Sequence, residues 1–198
     1  MTTAAHALSH ALAQLLEQER APESLRTAQV FRAMGPRSLA PPMQTHPLVD
    51  DIRRLLATST DPKLDPIQSG FDLIPWGISP VSELHPEGVN IYCVATLLGP
   101  EGPIDCPDLR AGLFYQRPGM YYKLHNHLAD ETYTLLAGSA LWTAGDDTRL
   151  RHEGECIHHP SLMPHAFKTG PDGLLALWRW SGDVDPASYQ LLDDPSDA

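Results

Sequence analysis

The chain has 198 residues, 42% of them hydrophobic, which is enough apolar material for one sizeable domain with a small appended layer. With 25 acidic against 14 basic residues the formal net charge is −11 at pH 7, which argues against nucleic-acid phosphate as a partner. No run approaches the ~18 consecutive apolar residues of a membrane span, and the N-terminus lacks the basic start and cleavage site of a signal peptide, so a cytoplasmic location is expected.

From Ala4 to Leu56 the apolar spacing is helical. Leu8, Leu12, Leu15 and Leu16 repeat at i, i+4, i+7 and i+8, which places them on one helix face. Ala21-Pro-Glu-Ser-Leu opens a second helix with its proline early, where no amide hydrogen is needed, and residues 49–56 make a third. Between these two, residues 35–42 hold three prolines and a glycine, which excludes regular structure. The helices are expected to pack on the rest of the chain or to line an oligomer interface such as a homodimer's; the sequence leaves both open. His6, His10 and His46 are expected to be exposed or structural.

Residues 61–90, rich in Pro, Gly and Asp, bridge to a β-rich part. Strands are expected over 90–98, 111–116, 121–127, 131–137, 139–143, 155–158 and 174–180. Turns at Arg117-Pro-Gly, Ala144-Gly-Asp-Asp and Thr169-Gly-Pro-Asp-Gly punctuate them. So many short strands argue for a sandwich or barrel. The expected fold is mainly β, a helical N-terminal layer over 1–60 and a barrel over 61–198. Cys93, Cys106 and Cys156 are unpatterned and read as buried small hydrophobes in a reducing compartment.

Two clusters within this β-rich part carry chemistry. His125 and His127, at i and i+2, point to one face of a strand. Glu131 opens the next strand and His165 follows farther along. Three imidazoles and one carboxylate suit a divalent first-row metal, with Zn, Fe, Mn or Ni all chemically suitable, and leave room for water or substrate. His158 and His159 precede Pro160 at a strand end and read as partly exposed structural histidines; Asp130 points away from Glu131 and reads as a solvated turn residue. In the last strand Ala176, Trp178 and Trp180 share a face, either as core packing or as an aromatic wall for a cationic group.

Gly119, His125, His127, Glu131 and Gly138 match in full the first cupin motif, G-x5-H-x-H-x3-E-x6-G, so the chain resembles the cupins. The second motif, G-x5-P-x-G-x2-H-x3-N, is matched by Gly154, Pro160 and His165, while Leu162 replaces its second glycine and Thr169 its asparagine. Within the cupins the words Tyr-Tyr-Lys-Leu-His-Asn-His-Leu-Ala-Asp-Glu-Thr-Tyr (121–133) and Pro-Ser-Leu-Met-Pro-His-Ala (160–166) resemble the dimethylsulfoniopropionate lyases, which have a helical N-terminal part and a metal-binding cupin barrel.

That resemblance implies a single-domain cupin jelly roll, one divalent metal on His125, His127, Glu131 and His165, Tyr133 as base and Tyr122 as its assistant. It also implies a small-molecule substrate, dimethylsulfoniopropionate, cleaved to dimethyl sulfide and acrylate. Trp178, Trp180, Phe114 and Tyr122 are the candidates to face the sulfonium. Tyr133 shares its strand parity with Glu131, but strict alternation from His125 puts Tyr121 and Lys123 on the metal face and Tyr122 opposite, unless a bulge intervenes. The metal ligands are common to other cupins, so a dioxygenase, an isomerase or a non-catalytic binding module is the alternative.

Overall fold

The computed structural model describes residues 2–33, 39, 46–77, 79–81 and 86–194. The proline-rich connection at 35–42 lies outside them, apart from Leu39.

Four helices come first: α1 (Thr2–Glu19), α2 (Pro22–Ala33), α3 (Val49–Thr58) and the short α4 (Asp65–Ser69). The leucine stripe of α1 is buried as its spacing demands, Leu8, Leu12 and Leu16 completely, against Phe31 of α2 and Ile52, Leu55 and Leu56 of α3. Removing each such side chain from water stabilises the fold by roughly 1.5–3 kcal/mol. The bridge after α3 is more ordered than its composition suggests. Among the described residues it holds, besides α4, three short 3-10 helices at Pro62–Leu64, Phe71–Leu73 and Pro86–Asn90, and a proline stands in the first two positions of three of these four elements. None of the helices is long and apolar enough to cross a membrane.

Eight strands follow: β1 (Tyr92–Leu98), β2 (Leu109–Gln116), β3 (Tyr121–Asn126), β4 (Asp130–Ala144), β5 (Asp147–His152), β6 (Cys156–His159), β7 (His165–Ser181) and β8 (Gln190–Leu191). The two strands expected at 131–137 and 139–143 are one. β4 runs through both and bends at Gly138, where φ is +82° and an added Cβ would lie 2.0 Å from the Gly173 carbonyl oxygen, so only glycine fits. β7 bends opposite. The expected turn at 169–173 interrupts its ladder without ending it, because Gly138 pairs with Leu174 and Ala140 with Thr169, leaving four residues of β7 against one of β4.

These two bends divide one ladder into two leaves. The first runs β1-β2-β7-β4-β6 through the later half of β7 and the earlier half of β4; the second runs β8-β3-β7-β4-β5 through the other halves. The inner face is aromatic: Phe114, Tyr133 and Trp178 of the first leaf meet Tyr122, Trp142 and Phe167 of the second, with Phe114 and Phe167 ring centroids 5.6 Å apart. This is the cupin jelly roll, mainly β, although the ladder does not close into a continuous barrel.

The outer face of the first leaf is apolar as well. Leu113, Tyr115, Leu175 and Leu177 pack in one core with the helices, which is why β1 and β2 are buried on both faces. One polar link crosses this layer. Glu19, the last residue of α1, accepts hydrogen bonds from Thr132 (3.0 Å) and Thr134 (3.4 Å) on β4, and its carboxylate lies 3.5 Å from the buried Arg179 of β7.

Of the cysteines, Cys93 and Cys106 are buried as expected, whereas Cys156 is exposed at the start of β6. His6 and His10 are exposed and His46 is half-buried.

Candidate metal centre

His125 and His127 stand at the end of β3, and the ladder explains how the strand presents them. Tyr122 pairs with Phe167 and His125 with His165, so three steps along β3 match two along β7. This one-residue bulge puts Tyr122 on the same inner face as His125, with ring centroids 4.9 Å apart, and resolves the parity conflict in favour of Tyr122. Tyr121 turns outward instead, towards Asp194.

Nitrogens of His125, His127 and His165 lie within 4.8 Å of one another, and all three residues are buried. Each ring is anchored from behind at Nδ1: His125 to the Lys123 carbonyl (2.7 Å), His127 to the Ala129 carbonyl (3.1 Å), His165 to the Met163 carbonyl (2.9 Å). A carbonyl only accepts, so Nδ1 of each neutral ring carries the proton and Nε2 is left with its lone pair, the tautomer a metal requires. Nε2 of His127 and His165 lie 3.4 and 3.1 Å from Glu131 Oε2. Yet both nitrogens are buried without a hydrogen bond. Lone pairs facing a carboxylate oxygen repel one another, and a cation among them turns that repulsion into coordination. The residues present fit a divalent metal.

Glu131 is 2% exposed, and both its oxygens are held by donors outside the cluster. Trp180 Nε1 donates to Oε1 at 2.5 Å, and His159 Nδ1 lies 3.2 Å from Oε2. Burial alone would raise the carboxyl pKa; the surrounding imidazoles, His127 first, outweigh it and hold Glu131 well below its usual value. Burial, then the neighbouring His165, pushes His125 well below the usual histidine range.

His159 departs from the sequence reading. It is completely buried, and its cross-strand partner in the β4–β6 ladder is Glu131. A signal for this was present, since His159 shares strand parity with Ile157, an apolar residue that marks the inner face. His158 is exposed as expected and pairs with Asp130 at 2.7 Å; Asp130 opens β4 instead of lying in a turn.

Three phenols surround the cluster. Tyr133 is buried and lines the same cavity as Glu131, and burial, followed by the Glu131 charge, raises its pKa well above 10. Tyr122 is raised likewise, by burial first and then by the neighbouring Tyr189. Tyr189 was missed in the sequence reading because it lies beyond the last expected strand. It reaches the cluster after a 3-10 turn at Pro186–Ser188 and stacks on His125 with centroids 4.6 Å apart. The Thr169 hydroxyl, at the departure from the second motif, instead bonds the Arg117 carbonyl at 2.5 Å, behind the site.

Phe114, Trp178, Trp180, Tyr122 and Tyr133 border one narrow cavity next to Glu131, with about 20 Å³ free. Trp180 has two contacts there, the hydrogen bond to Glu131 and a face over His127 at 4.5 Å between centroids. Trp178 Nε1 is buried without a hydrogen-bond partner. Beyond the cluster, Leu162 adopts φ +64°, the left-handed conformation natural to the glycine it replaces, in a turn closed by Met163 N donating to the Pro160 carbonyl at 2.9 Å.

Three comparisons bear on this site. The sequence profile of the dimethylsulfoniopropionate (DMSP) lyase family matches residues 22–176. The chain is 38% identical over 107 residues to the DMSP lyase DddQ of Ruegeria pomeroyi, a match spanning 54% of this chain and about half (53%) of that enzyme's length. The solved structure of DddQ from Ruegeria pomeroyi superposes with a TM-score of 0.64 and 26% identity, covering 93% of this chain and 95% of that one. A structure solved in work on the DMSP lyases RdDddP and RnDddQII gives a TM-score of 0.67 and 25% identity over 94% and 98% of the two chains.

Proposed function

Because the chain belongs to the dimethylsulfoniopropionate lyase family, we propose that it is a carbon–sulfur lyase that cleaves dimethylsulfoniopropionate to dimethyl sulfide and acrylate in the cytoplasm. In this reading His125, His127, Glu131 and His165 hold one divalent ion, with Zn, Fe, Mn and Ni all compatible with the donor set. When bound, the ion would supply Lewis-acid stabilisation of charge on the substrate carboxylate and a positive field that lowers the pKa of a nearby phenol.

The chain's own residues do the rest. Tyr133 takes the proton from the carbon next to the carboxylate, the electron pair of that C–H bond becomes the new double bond, and the Cβ–S pair departs with dimethyl sulfide. Tyr122 assists from the facing leaf. Trp178, Phe114 and the face of Trp180 present aromatic surface to the sulfonium. The cavity has room for about one water, so its walls part to admit substrate.

One observation supports this reading above the others: the Tyr133 phenol is buried on the cluster's face and lines the same cavity as Glu131. An ionisable group so placed suits proton abstraction and is superfluous in a binding module. Purified protein loaded with metal should release dimethyl sulfide into headspace and form acrylate in equal amount when given dimethylsulfoniopropionate. Absence of both products over a metal series of Zn, Fe, Mn and Ni would reject the assignment.

A further inference from the structure

His159 belongs to no expected ligand set, yet both of its ring nitrogens have buried polar partners. Its Nδ1 lies 3.2 Å from Glu131 Oε2, and Trp142 Nε1 donates to its Nε2 at 3.0 Å. Trp142 is 1% exposed and its ring is nearly parallel to that of His159, at 18°, with centroids 5.8 Å apart. An indole nitrogen donates and never accepts. The Nε2 lone pair of His159 is therefore occupied, its proton resides on Nδ1, and the ring can meet Glu131 only as a donor. This is the reverse of His125, His127 and His165, whose Nδ1 protons go to backbone carbonyls. Chemistry thus divides four buried histidines into three with Nε2 available for a metal and one without, although His159, His165 and Glu131 by distance alone also form a candidate trio.

We infer that His159 is the positioning residue of the centre: locked by Trp142 as the Nδ1–H tautomer, it fixes the Glu131 carboxylate for coordination and does not itself bind metal. The inference rests on the reading of Glu131 as a ligand. Together with Trp180 on Oε1, His159 leaves Glu131 no rotation that keeps both hydrogen bonds, so the carboxylate meets the ion preorganised. Trp142 acts one step further out, through the tautomer it imposes.

The test uses the full chain, stripped with chelator and titrated with Co²⁺, whose visible spectrum reports its donor set. His159→Leu should still bind one Co²⁺ with the wild-type spectrum but with affinity lowered roughly 10–100-fold. His159→Asn, whose side-chain amide places a donor where Nδ1 stands, should restore most of the loss. Wild-type affinity in His159→Leu, no rescue by Asn, or a spectrum showing one donor fewer would each overturn the inference while leaving the metal centre standing. A wild-type chain that binds no Co²⁺ would remove the metal centre and this inference with it. Should His159→Leu fail to fold, ring-nitrogen NMR of the wild type decides. Zn²⁺ should move Nε2 of His125, His127 and His165 and leave His159 with a protonated Nδ1, whereas a metal-bound Nδ1 on His159 would overturn the inference.

Discussion

The Tyr133 phenol and the Glu131 carboxylate, two residues apart on β4, share one inner face and line one cavity. As long as no cation is present the pair keeps the phenol protonated, since ionising it would set two buried negative charges side by side. Tyr133→Phe removes one oxygen and keeps the ring's packing against Trp142 and Phe167. A base role predicts retained fold and metal and a fall in kcat of roughly 100-fold or more, read as dimethyl sulfide release. A variant turning over at the wild-type rate would show that the base lies elsewhere.

Metal content is the second expectation. His127→Ala takes away one imidazole and should lower bound metal sharply, measured by elemental analysis after gel filtration. Stoichiometric metal in a chain lacking both His125 and His127 would sink the site.

Acid should destabilise the metal-free protein in a defined window. His159 is held at about 4, by burial and then by His165, against an ordinary value of 6.5, and His125 is depressed as well. Glu131 is held well below 4.5 because the surrounding imidazoles, His127 first, outweigh its burial. All three groups bind fewer protons folded than unfolded, so stability is fully present above the ordinary histidine value and is lost as pH falls from there, with Glu131 adding its loss below 4.5. His159 alone accounts for on the order of 3 kcal/mol. The urea midpoint of chelator-treated protein should fall between about pH 7 and about pH 5; an unchanged midpoint would mean that these rings are solvated in the folded chain.

Trp178 and Trp180 should separate by function. Trp178→Ala is expected to weaken binding of a quaternary ammonium ligand by about 1–2 kcal/mol, with metal affinity little changed. Trp180→Phe keeps an aromatic face over His127 but removes the donor to Glu131, so metal affinity should drop. Calorimetry with both ligands distinguishes the two, and equal effects of both variants on both ligands would refute the division.

Leu162 offers a prediction of opposite sign. Its left-handed backbone costs a β-carbon about 1 kcal/mol or more, and its side chain, 50% exposed, gains little in return. Leu162→Gly should raise thermal stability, by at most about 1 kcal/mol after the added freedom of the unfolded glycine is counted. A lower melting temperature would mean that the side chain has a contact worth more than the strain.

Much of the cluster was legible because its first members are local: His125 and His127 follow strand alternation, and Tyr133 follows Glu131 by the same rule. Tyr122 was legible only through resemblance, because the bulge that turns it inward is a matter of register with β7. His159 meets Glu131 across the β4–β6 ladder, a pairing between residues 28 positions apart that alternation on either strand does not announce. Strand β5 went unseen because its sequence, Asp-Thr-Arg-Leu-Arg-His, is almost wholly exposed and shows no apolar face to read. The lengths of β4 and β7 were misjudged for the opposite reason. Glycines that signal a stop in a flat sheet here let a strand turn a corner and continue.

The contact of Glu19 with Thr132 and Thr134 gives α1 a bearing on the chemistry that distance hides. Those threonines alternate with Glu131 and Tyr133, so the strand carrying both on its inner side is gripped on its outer side by a helix end. A jelly roll transplanted without α1 would lose Glu19 from beside Arg179 and leave that guanidinium only the more distant carboxylate of Asp130, at 3.7 Å. It would also free the one strand whose register sets the distance between proton donor and acceptor. The helical layer is in this sense the mounting of the reaction centre, and grafts of the strands alone should inherit its sequence without its alignment.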